Sequence, residues 1–351
     1  SAGRAGTAYI QDFSGDLVFV HDEVATTGLK MPITLSRVYN GTNRENRTSN
    51  APQVGKGWNL TLQQSVTAVT SPELIDSYPY YYTDQDGTDH YFYKKSTSEL
   101  LDEDGLGLKL ETTSTGYTIT DKNDNVKTFN NQGRLSSIKD ANNNKITINF
   151  ESDNKTIDYI EDGSGHIIFF TLTDNGYVRS ITDPAGRLTT YYYDSFGSLT
   201  TIIYPDNTQS VYTYDSDHAL TSATDPTGYK IEFQYTSVIQ GKRIKKAIEK
   251  SSNNTTGQTI MFDRSEHNMT QIVTTGANSL FENGDGDDIT TTYQFDNAGR
   301  TMSTSTCDPS QALGASAVIM TAANVNSDNV NDIKKLNRVT KDTSLGRNTV
   351  N

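Results

Sequence analysis

The feature that most constrains this chain is a repeat of about 21 residues in its middle part. Aromatic or apolar residues recur there at intervals of 21, 22, 21, 21 and 21 residues. A fixed period of this length is typical of proteins built from one supersecondary unit placed side by side. The recurring residues, called anchors below, are Phe129, Phe150, Leu172, Tyr193, Tyr214 and Tyr235.

Two turn-forming positions accompany the anchors. Four residues after the anchor comes a residue that tolerates a left-handed backbone, and fourteen residues after it comes glycine or asparagine, three times with a proline shortly before. We therefore interpret His218 as a turn residue rather than a catalytic one. The first series is Gly133, Asn154, Gly176, Gly197 and His218, and the second is Asn143, Gly186, Asn207 and Gly228.

Between the turns, apolar and polar residues alternate with a period of two, which predicts β-strands. Tyr229, Ile231 and Phe233 interleave with Lys230 and Glu232. We expect this ladder of side chains to be buried or to line a cavity. The matching positions are Ile146/Ile148/Phe150, Ile168/Phe170/Leu172, Thr189/Tyr191/Tyr193 and Ser210/Tyr212/Tyr214.

The predicted fold class is all-β, with consecutive antiparallel hairpins repeated side by side. A composition rich in threonine and tyrosine favours strands, and asparagine, aspartate and glycine favour the turns between them. The stretch from Tyr293 to Thr306 repeats the pattern, with Phe295 as anchor and Gly299 four residues later.

The overall charge and the cysteine content exclude several classes of protein. A net charge of −13 argues against a nucleic-acid partner and against an anionic membrane surface. No apolar run reaches the 18 or so residues of a membrane span, so membrane insertion is not expected. A single cysteine, Cys307, excludes an internal disulfide. The composition suits a secreted or wall-associated protein of a Gram-positive bacterium, and the lack of a signal peptide at Ser1 suggests a piece of a longer chain.

Two segments resemble the YD repeats of Rhs-type proteins and teneurins: "GRLSSIKDANNNKITINF" at Gly133–Phe150 and "DPAGRLTTYYYD" at Asp183–Asp194. Upstream, "FSGDLVFVHDE", "PITLSRVYN" and "GKGWNLTL" resemble the module that precedes Rhs repeats. The resemblance covers about residues 126–306. It implies that the hairpins form a large curved sheet or a partial β-shell. It also implies an opening module at 1–125, a YD-repeat sheet at 126–309, and a connector at 310–351 towards a downstream module.

The resemblance also implies a function. In the long members of this family the sheet spirals into a hollow shell that encloses a C-terminal toxin or forms a cell-surface adhesion body. We expect a non-catalytic structural section used for surface attachment or display, with carbohydrate or protein partners and the downstream modules of the same chain. The alternatives are the wall of a toxin-enclosing shell and, less supported, a glycoside hydrolase or other enzyme. Three residues are implied to pack the opening module against the first repeats: Arg37, Tyr39 and Trp58.

No catalytic residues are predicted, because no Gly-x-Ser-x-Gly motif accompanies the histidines. His21 is interpreted as a polar residue at a strand end, His90 and His166 as strand residues, and His267 as a turn residue. The many carboxylates do not single out the close pair that a glycosidase needs. No cofactor is expected.

Two further segments are candidate binding sites. The acidic run "ENGDGDD" at Glu282–Asp288 offers Asn283, Asp285 and Asp287 to Ca²⁺, or forms a polar hairpin tip without metal. The aromatic run from Tyr78 to Tyr93 either covers a sheet face or contacts a glycan or another partner. Its candidate contact residues are Tyr80, Tyr81, Tyr82, Tyr91 and Tyr93.

Overall fold

A computed structural model describes residues 3–42, 53–96, 99–238, 241–274, 288–297, 299–307, 318–321 and 340–341. Within these ranges the chain forms a short 3-10 helix at Gly3–Ala5 and β-strands, and no α-helix, which confirms the all-β class. The first strands are β1 (Thr7–Ile10), β2 (Leu17–Ala25), β3 (Thr34–Asn40), β4 (Trp58–Leu60), β5 (Ser65–Ala68), β6 (Tyr80–Thr83), β7 (Asp89–Lys94), β8 (Leu100–Asp102), β9 (Lys109–Thr113) and β10 (Gly116–Thr120). The YD-like region follows with β11 (Val126–Phe129), β12 (Leu135–Lys139), β13 (Lys145–Phe150), β14 (Ile157–Glu161), β15 (Ile167–Leu172), β16 (Val178–Thr182), β17 (Leu188–Tyr193), β18 (Leu199–Ile203), β19 (Gln209–Tyr214), β20 (Leu220–Thr224) and β21 (Lys230–Val238). The last strands are β22 (Gly241–Lys250), β23 (Thr256–Asp263), β24 (Met269–Thr274), β25 (Ile289–Phe295), β26 (Thr301–Cys307), β27 (Val318–Thr321) and β28 (Thr340–Lys341).

The chain divides into two compact units. The larger unit contains Gly3–Ala8 and Val18–Leu220, and the smaller one contains Tyr9–Leu17 and the described residues from Thr221 onward. Each unit combines separate stretches of the sequence, so this division does not test the sequence modules 1–125, 126–309 and 310–351, which stay a prediction. No helix in the described part of the chain is long and apolar enough to cross a membrane.

Successive strands pair with their neighbours in sequence. In the larger unit every strand from β5 to β19 lies antiparallel beside the next one, and β2, β3 and β4 pair in the same way in a separate sheet. In the smaller unit antiparallel pairing runs from β21 to β28. The hairpin-by-hairpin order predicted from the 21-residue period is therefore what the strands form.

One face of the repeat strands is buried, as the alternation predicts. The ladder residues Ile168, Tyr191 and Tyr212 are 0, 3 and 2% exposed. On the opposite face of the same strands, Phe169 and Tyr192 are 48 and 49% exposed. The other fully or nearly buried ladder residues are Ile146, Ile148, Thr189, Ser210, Ile231 and Phe233.

A β-bulge accompanies most of the anchors, and the sequence pattern did not predict it. Tyr193 pairs with Leu199 while its neighbour Tyr192 pairs with Thr201, so Thr200 is the extra residue on the returning strand. Such a bulge bends the strand and increases its twist. The same shift occurs beside Phe129, Phe150, Leu172, Tyr235 and Phe295.

The turn positions of both series have positive φ angles. In the first series Gly133, Gly176 and Gly197 have φ of 73°, 79° and 85°, and Asn154 and His218 have φ of 54° and 59°. Asparagine and histidine are among the non-glycine residues that occupy this region most readily. The second series behaves alike, with φ of 63° at Asn143, 78° at Gly186, 61° at Asn207 and 85° at Gly228.

An aspartate or asparagine opens most of these turns. The Asp194 carboxylate accepts hydrogen bonds from the backbone N–H groups of Phe196 (2.9 Å) and Ser198 (2.8 Å). A side-chain oxygen at this position replaces the backbone partner that a tight turn lacks. Much of the acidic character therefore serves turns. The equivalent residues are Asp84, Asp121, Asn130, Asp140, Asp162, Asp183, Asp215 and Asp225.

Candidate functional site

The most extensive site in the larger unit is a line of contacts between the N-terminal segment and the first-series turns, called the docking line below. At each turn on this line the carbonyl group of the left-handed residue accepts a hydrogen bond from Tyr39 or from the segment 53–66. These hydrogen bonds thus depend on the backbone conformation of the turns and not on the side chains of the turn residues. The four bonds run from Val66 N to Gly133 O (2.8 Å), from Gln53 N to Gly176 O (2.9 Å), from Lys56 N to Gly197 O (3.0 Å) and from the Tyr39 hydroxyl to His218 O (3.3 Å).

At the turns with the closest contacts there is no room for a side chain. A Cβ atom added to Gly133 would lie 2.0 Å from the Val66 carbonyl oxygen, and one added to Gly197 would lie 2.2 Å from the Tyr177 hydroxyl. At Gly186, in the second series, such an atom would have nothing within 4 Å. Gly133 and Gly197 therefore need to be glycine for close approach as well as for their φ angles.

His218 has a larger role than turn formation. Its Nδ1 lies 3.0 Å from the Ser198 hydroxyl and its Nε2 lies 3.0 Å from Lys56 Nζ. The imidazole thus links two adjacent turns of the docking line and the segment that lies on them.

A buried ion pair joins strands β2 and β3. The side chains of Glu23 on β2 and Arg37 on β3 are both 0% exposed, with Oε1 and Nη1 2.5 Å apart. The Arg37 guanidinium also donates a 2.7 Å hydrogen bond to the Tyr212 hydroxyl, and Tyr191 donates a 2.5 Å hydrogen bond to Glu23. Pairing with the opposite charge offsets much of the cost of burying these groups, although Arg37 Nε has no hydrogen-bond partner among the described residues.

The charge state of this pair follows from its surroundings. Burial acts to raise the pKa of Glu23, but the positive charge of Arg37 and the neighbouring His21 outweigh burial and hold that pKa at about 2. Burial acts to lower the pKa of Arg37, and Glu23 reverses that effect and raises it. Both groups are charged at neutral pH.

Aromatic rings cover the cationic side of the pair. The Arg37 guanidinium lies 4.5 Å from the Trp58 ring centroid and 5.0 Å from that of Tyr212, within the range of cation–π attraction. Trp58 donates a 2.8 Å hydrogen bond to the Tyr214 hydroxyl, and the ring centroids of Trp58 and Tyr39 are 5.4 Å apart. The expected contact of Arg37, Tyr39 and Trp58 with the repeats is found at later repeats than expected. Arg37 and Trp58 bond to Tyr212 and Tyr214, and Tyr39 bonds to His218 and Leu220.

His21 belongs to the same cluster and not to an open catalytic site. It lies in the middle of β2, so its assignment to a strand end is wrong. Its Nδ1 is 3.2 Å from Glu23 and its Nε2 is 3.2 Å from the Tyr204 hydroxyl, which in turn lies 2.9 Å from Ser210. A serine, a histidine and a carboxylate are thus connected. Ser210 is 0% and Tyr204 6% exposed, so a substrate has no access to them.

The remaining histidines lie apart from one another. His90 on β7 lies between Asp104 (2.6 Å) and Asp84 (3.3 Å), and the hydrogen bond with Asp84 is the main cause that raises its pKa to about 9, with burial opposing it. His166 lies directly before β15 and contacts Asp162 at 2.9 Å, so its assignment to a strand is wrong. His267 lies in the turn before β24.

In the part of the chain that the structure describes, no group of three or more His, Cys, Asp or Glu residues is arranged to hold a metal ion. The calcium candidates Asn283, Asp285 and Asp287 lie outside the described residues, so that assignment stays a prediction. Cys307 is the last residue of β26, and its side chain lies outside the described part of the structure.

The tyrosine run divides between two faces of the β6–β7 hairpin. Tyr80 pairs with Phe92 and Tyr82 with His90, and Tyr82 is only 3% exposed. Tyr82 is therefore wrong as a glycan contact: its hydroxyl donates to Gln64 and accepts a 2.6 Å hydrogen bond from Lys127 Nζ. Because strand residues alternate, the other face carries Tyr81, Tyr91 and Tyr93, of which Tyr93 is 38% exposed.

The docking line was not predicted from the sequence. Its only signal is the excess of glycine over asparagine in the first series, where three of five positions are glycine. The turn requirement alone explains that excess equally well, so the signal did not point to a contact.

A family model described as "Teneurin YD-shell" matches residues 102–347. Among solved structures, the Photorhabdus luminescens Tc holotoxin pore aligns with 90% of this chain at 12% identity and a TM-score of 0.32. A TcdB2-TccC3 crystal structure aligns with 90% at 13% identity and a TM-score of 0.31. The chain spans about a fifth of the length of these chains, 20 and 21% respectively. No curated protein matches it in sequence.

Proposed function

The chain belongs to the teneurin YD-shell family, and on that premise we propose that it is a non-catalytic structural section of wall in a larger secreted surface protein. The observation that carries this proposal is the series of consecutive hairpins whose turns accept hydrogen bonds from the N-terminal segment through their backbone carbonyl groups. Such contacts hold a sheet in place and offer no reactive group to a substrate.

The chemistry of the charged groups supports a structural role. The recurring aspartates each bind the backbone of their own turn, and the connected Glu23, His21 and Ser210 are buried in the core. Buried ionic groups of this kind can specify one packing arrangement among alternatives. We infer that the Glu23–Arg37 pair fixes the register of the N-terminal strands on the repeats.

Within the parent protein, we propose that the wall serves surface attachment or display. Tyr81, Tyr91 and Tyr93 share the face of the β6–β7 hairpin opposite Tyr82 and, with the half-buried Tyr80, are the residues that would meet a glycan or a protein partner. Amphipathic rings of this type lose little conformational entropy on binding. Secretion, association with a Gram-positive cell wall and Ca²⁺ binding at Asn283, Asp285 and Asp287 belong to the same proposal.

The second candidate function is enclosure of a toxin supplied by the parent chain. The family description names a shell, and a described sheet with one consistently buried face is suited to be part of such a wall. The two candidates share the structural role and differ in what the completed wall holds.

The test uses the parent protein with and without this segment. The parent is digested with a protease, and the survival of its remaining modules is followed by mass spectrometry, together with assays on peptide, ester and glycoside substrates. If the segment is a section of wall, neither the parent protein nor the form without the segment should turn over any substrate. An enclosed module should be digested faster when the segment is removed. Turnover that requires the segment would refute the non-catalytic assignment. Unchanged digestion would favour display over enclosure, and binding of the intact parent to glycan arrays would then be measured.

A further inference from the structure

The smaller unit contains a cleft that the structural role does not use. It encloses about 360 Å³ and is lined by Phe13, Arg243, Arg264 and residues 265–270, which form the turn before β24 and the start of that strand. Pockets that bind small molecules begin at about 300 Å³. The volume is therefore sufficient for a compact ligand and too small for a folded partner.

The Arg264 guanidinium is held in place by backbone carbonyls. Its Nε donates to Asp12 O (3.0 Å), one Nη to Ile244 O (2.8 Å) and the other to Gln11 O (3.2 Å). Carbonyl groups orient the guanidinium but do not neutralise its charge. Since a guanidinium has five N–H donors, two remain for another acceptor.

Arg243 adds a second positive charge at the same place. A Cβ atom built on Gly15 would lie 2.9 Å from Arg243 Cβ and 3.0 Å from Arg264 Cζ, so both side chains pack against that glycine. Arg243 is exposed, and its guanidinium has no hydrogen-bond or ion-pair partner among the described residues. In contrast, Arg187 and Arg300 each pair with an aspartate of their own turn, at 2.6 and 2.5 Å.

The nearby carboxylates do not cancel this charge. Burial and then the charge of Arg243 lower the pKa of Arg264 to about 10, and only weaker opposing effects come from Asp12 and Asp16. Glu266 also lines the cleft. Two adjacent arginines without an ion-pair partner in the described part of the chain are unusual where acidic residues outnumber basic ones 43 to 30.

We propose that this cleft is a binding site for the carboxylate group of a small acidic ligand, of which an acidic sugar such as a uronic acid is the representative. The carboxylate accepts hydrogen bonds from Arg243 and from the free N–H groups of Arg264, while the body of the ligand lies against the Phe13 ring. Arginine suits this role because its planar fork matches the geometry of a carboxylate. The site is independent of the docking line and of the structural role.

The test follows the methyl signal of Met269, which lines the cleft, by NMR of the intact chain with labelled methionine methyl groups. The chain has five methionines, and Met269→Leu assigns the signal. The probe is D-glucuronate, with D-glucose as its neutral counterpart and inorganic phosphate as a second anion. Arg243→Gln removes the exposed guanidinium, and Lys245→Gln removes a positive charge from the same strand outside the cleft. Arg264 is left intact because its hydrogen bonds hold the local fold.

The expected result is a saturable shift of the Met269 signal with glucuronate and none with glucose. Arg243→Gln should weaken glucuronate binding about tenfold or more, as expected for the loss of a charge-assisted hydrogen bond, and Lys245→Gln should leave it unchanged. The proposal is overturned if glucuronate causes no shift, if glucose causes the same one, or if Arg243→Gln binds like the wild type. Equal binding of phosphate would show that the cleft selects charge alone and would overturn its assignment to carboxylates.

Discussion

Alanine in place of Gly133 should destabilise the larger unit far more than alanine in place of Gly186. Both glycines have positive φ, 73° and 78°, so both substitutions carry the strain of a left-handed alanine, about 1 kcal/mol. Only Gly133 is in close contact: its new methyl group would lie 2.0 Å from the Val66 carbonyl oxygen, a backbone atom that cannot rotate away. Overpacking of this kind costs about 1–3 kcal/mol more. We expect about 1 kcal/mol for Gly186→Ala and about 2–4 kcal/mol for Gly133→Ala.

Gly197→Ala provides an intermediate case. Its methyl group would meet the Tyr177 hydroxyl at 2.2 Å, which is the end of a side chain and can move. Removing that oxygen with Tyr177→Phe should recover part of the loss in Gly197→Ala, whereas it should not affect Gly186→Ala.

Urea unfolding followed by the fluorescence of Trp58, the single tryptophan, measures these free energies, since Trp58 and all three glycines belong to the larger unit. The effect of alanine on the entropy of the unfolded chain is common to the variants and cancels in their differences. Equal losses for Gly133→Ala and Gly186→Ala would refute the close-contact argument. A loss below about 0.5 kcal/mol at both sites would refute the left-handed turns as well.

Four further predictions concern charged and polar groups. Arg37→Met leaves Glu23 buried without its partner and should cost about 3–5 kcal/mol of unfolding free energy in the same urea experiment, while adding Glu23→Gln should recover part of it; no recovery would argue against the ion pair. Because the pKa of Glu23 is lowered from 4.5 to about 2 on folding, its contribution to stability is complete above pH 4.5 and is lost as the pH falls through about 2, so urea midpoints of Glu23→Gln should depend less on pH in that window than those of the wild type. Because the pKa of His90 is raised from 6.5 to about 9 on folding, its contribution to stability is complete below pH 6.5 and is lost as the pH rises through about 9. NMR titration of the His90 ring should give a midpoint near 9, and a midpoint near 6.5 would contradict the contacts with Asp84 and Asp104. Asp194→Asn should be nearly neutral, since Asn130 fills the same role in its own turn, whereas Asp194→Ala should cost about 1–3 kcal/mol because two backbone N–H groups lose their acceptor; equal melting temperatures for the two variants would disprove the turn assignment.

The sequence predicted correctly the features that depend only on residues close together along the chain. The alternation of Tyr229, Ile231 and Phe233 follows from the pleat of a strand, and the turn series follows from which residues tolerate positive φ. These properties need no knowledge of distant residues, and repetition shows them several times. His166 was misplaced because the residues beside it do not mark where a turn ends and a strand begins. The face taken by Tyr82 depends on the pairing of β6 with β7.

The sequence by itself determined the unit of this protein: an all-β chain of hairpins with one buried face, in the YD-repeat family. Only the tertiary structure decided which distant residues the hairpins contact. The docking line joins Val66 to Gly133 and Lys56 to Gly197, and the ion pair of Glu23 and Arg37 lies against Tyr191 and Tyr212, more than 150 residues away along the chain. Backbone carbonyls accept these docking hydrogen bonds, and a carbonyl is common to every residue type. Such contacts therefore leave no pattern in a sequence beyond the small residue that makes room for them.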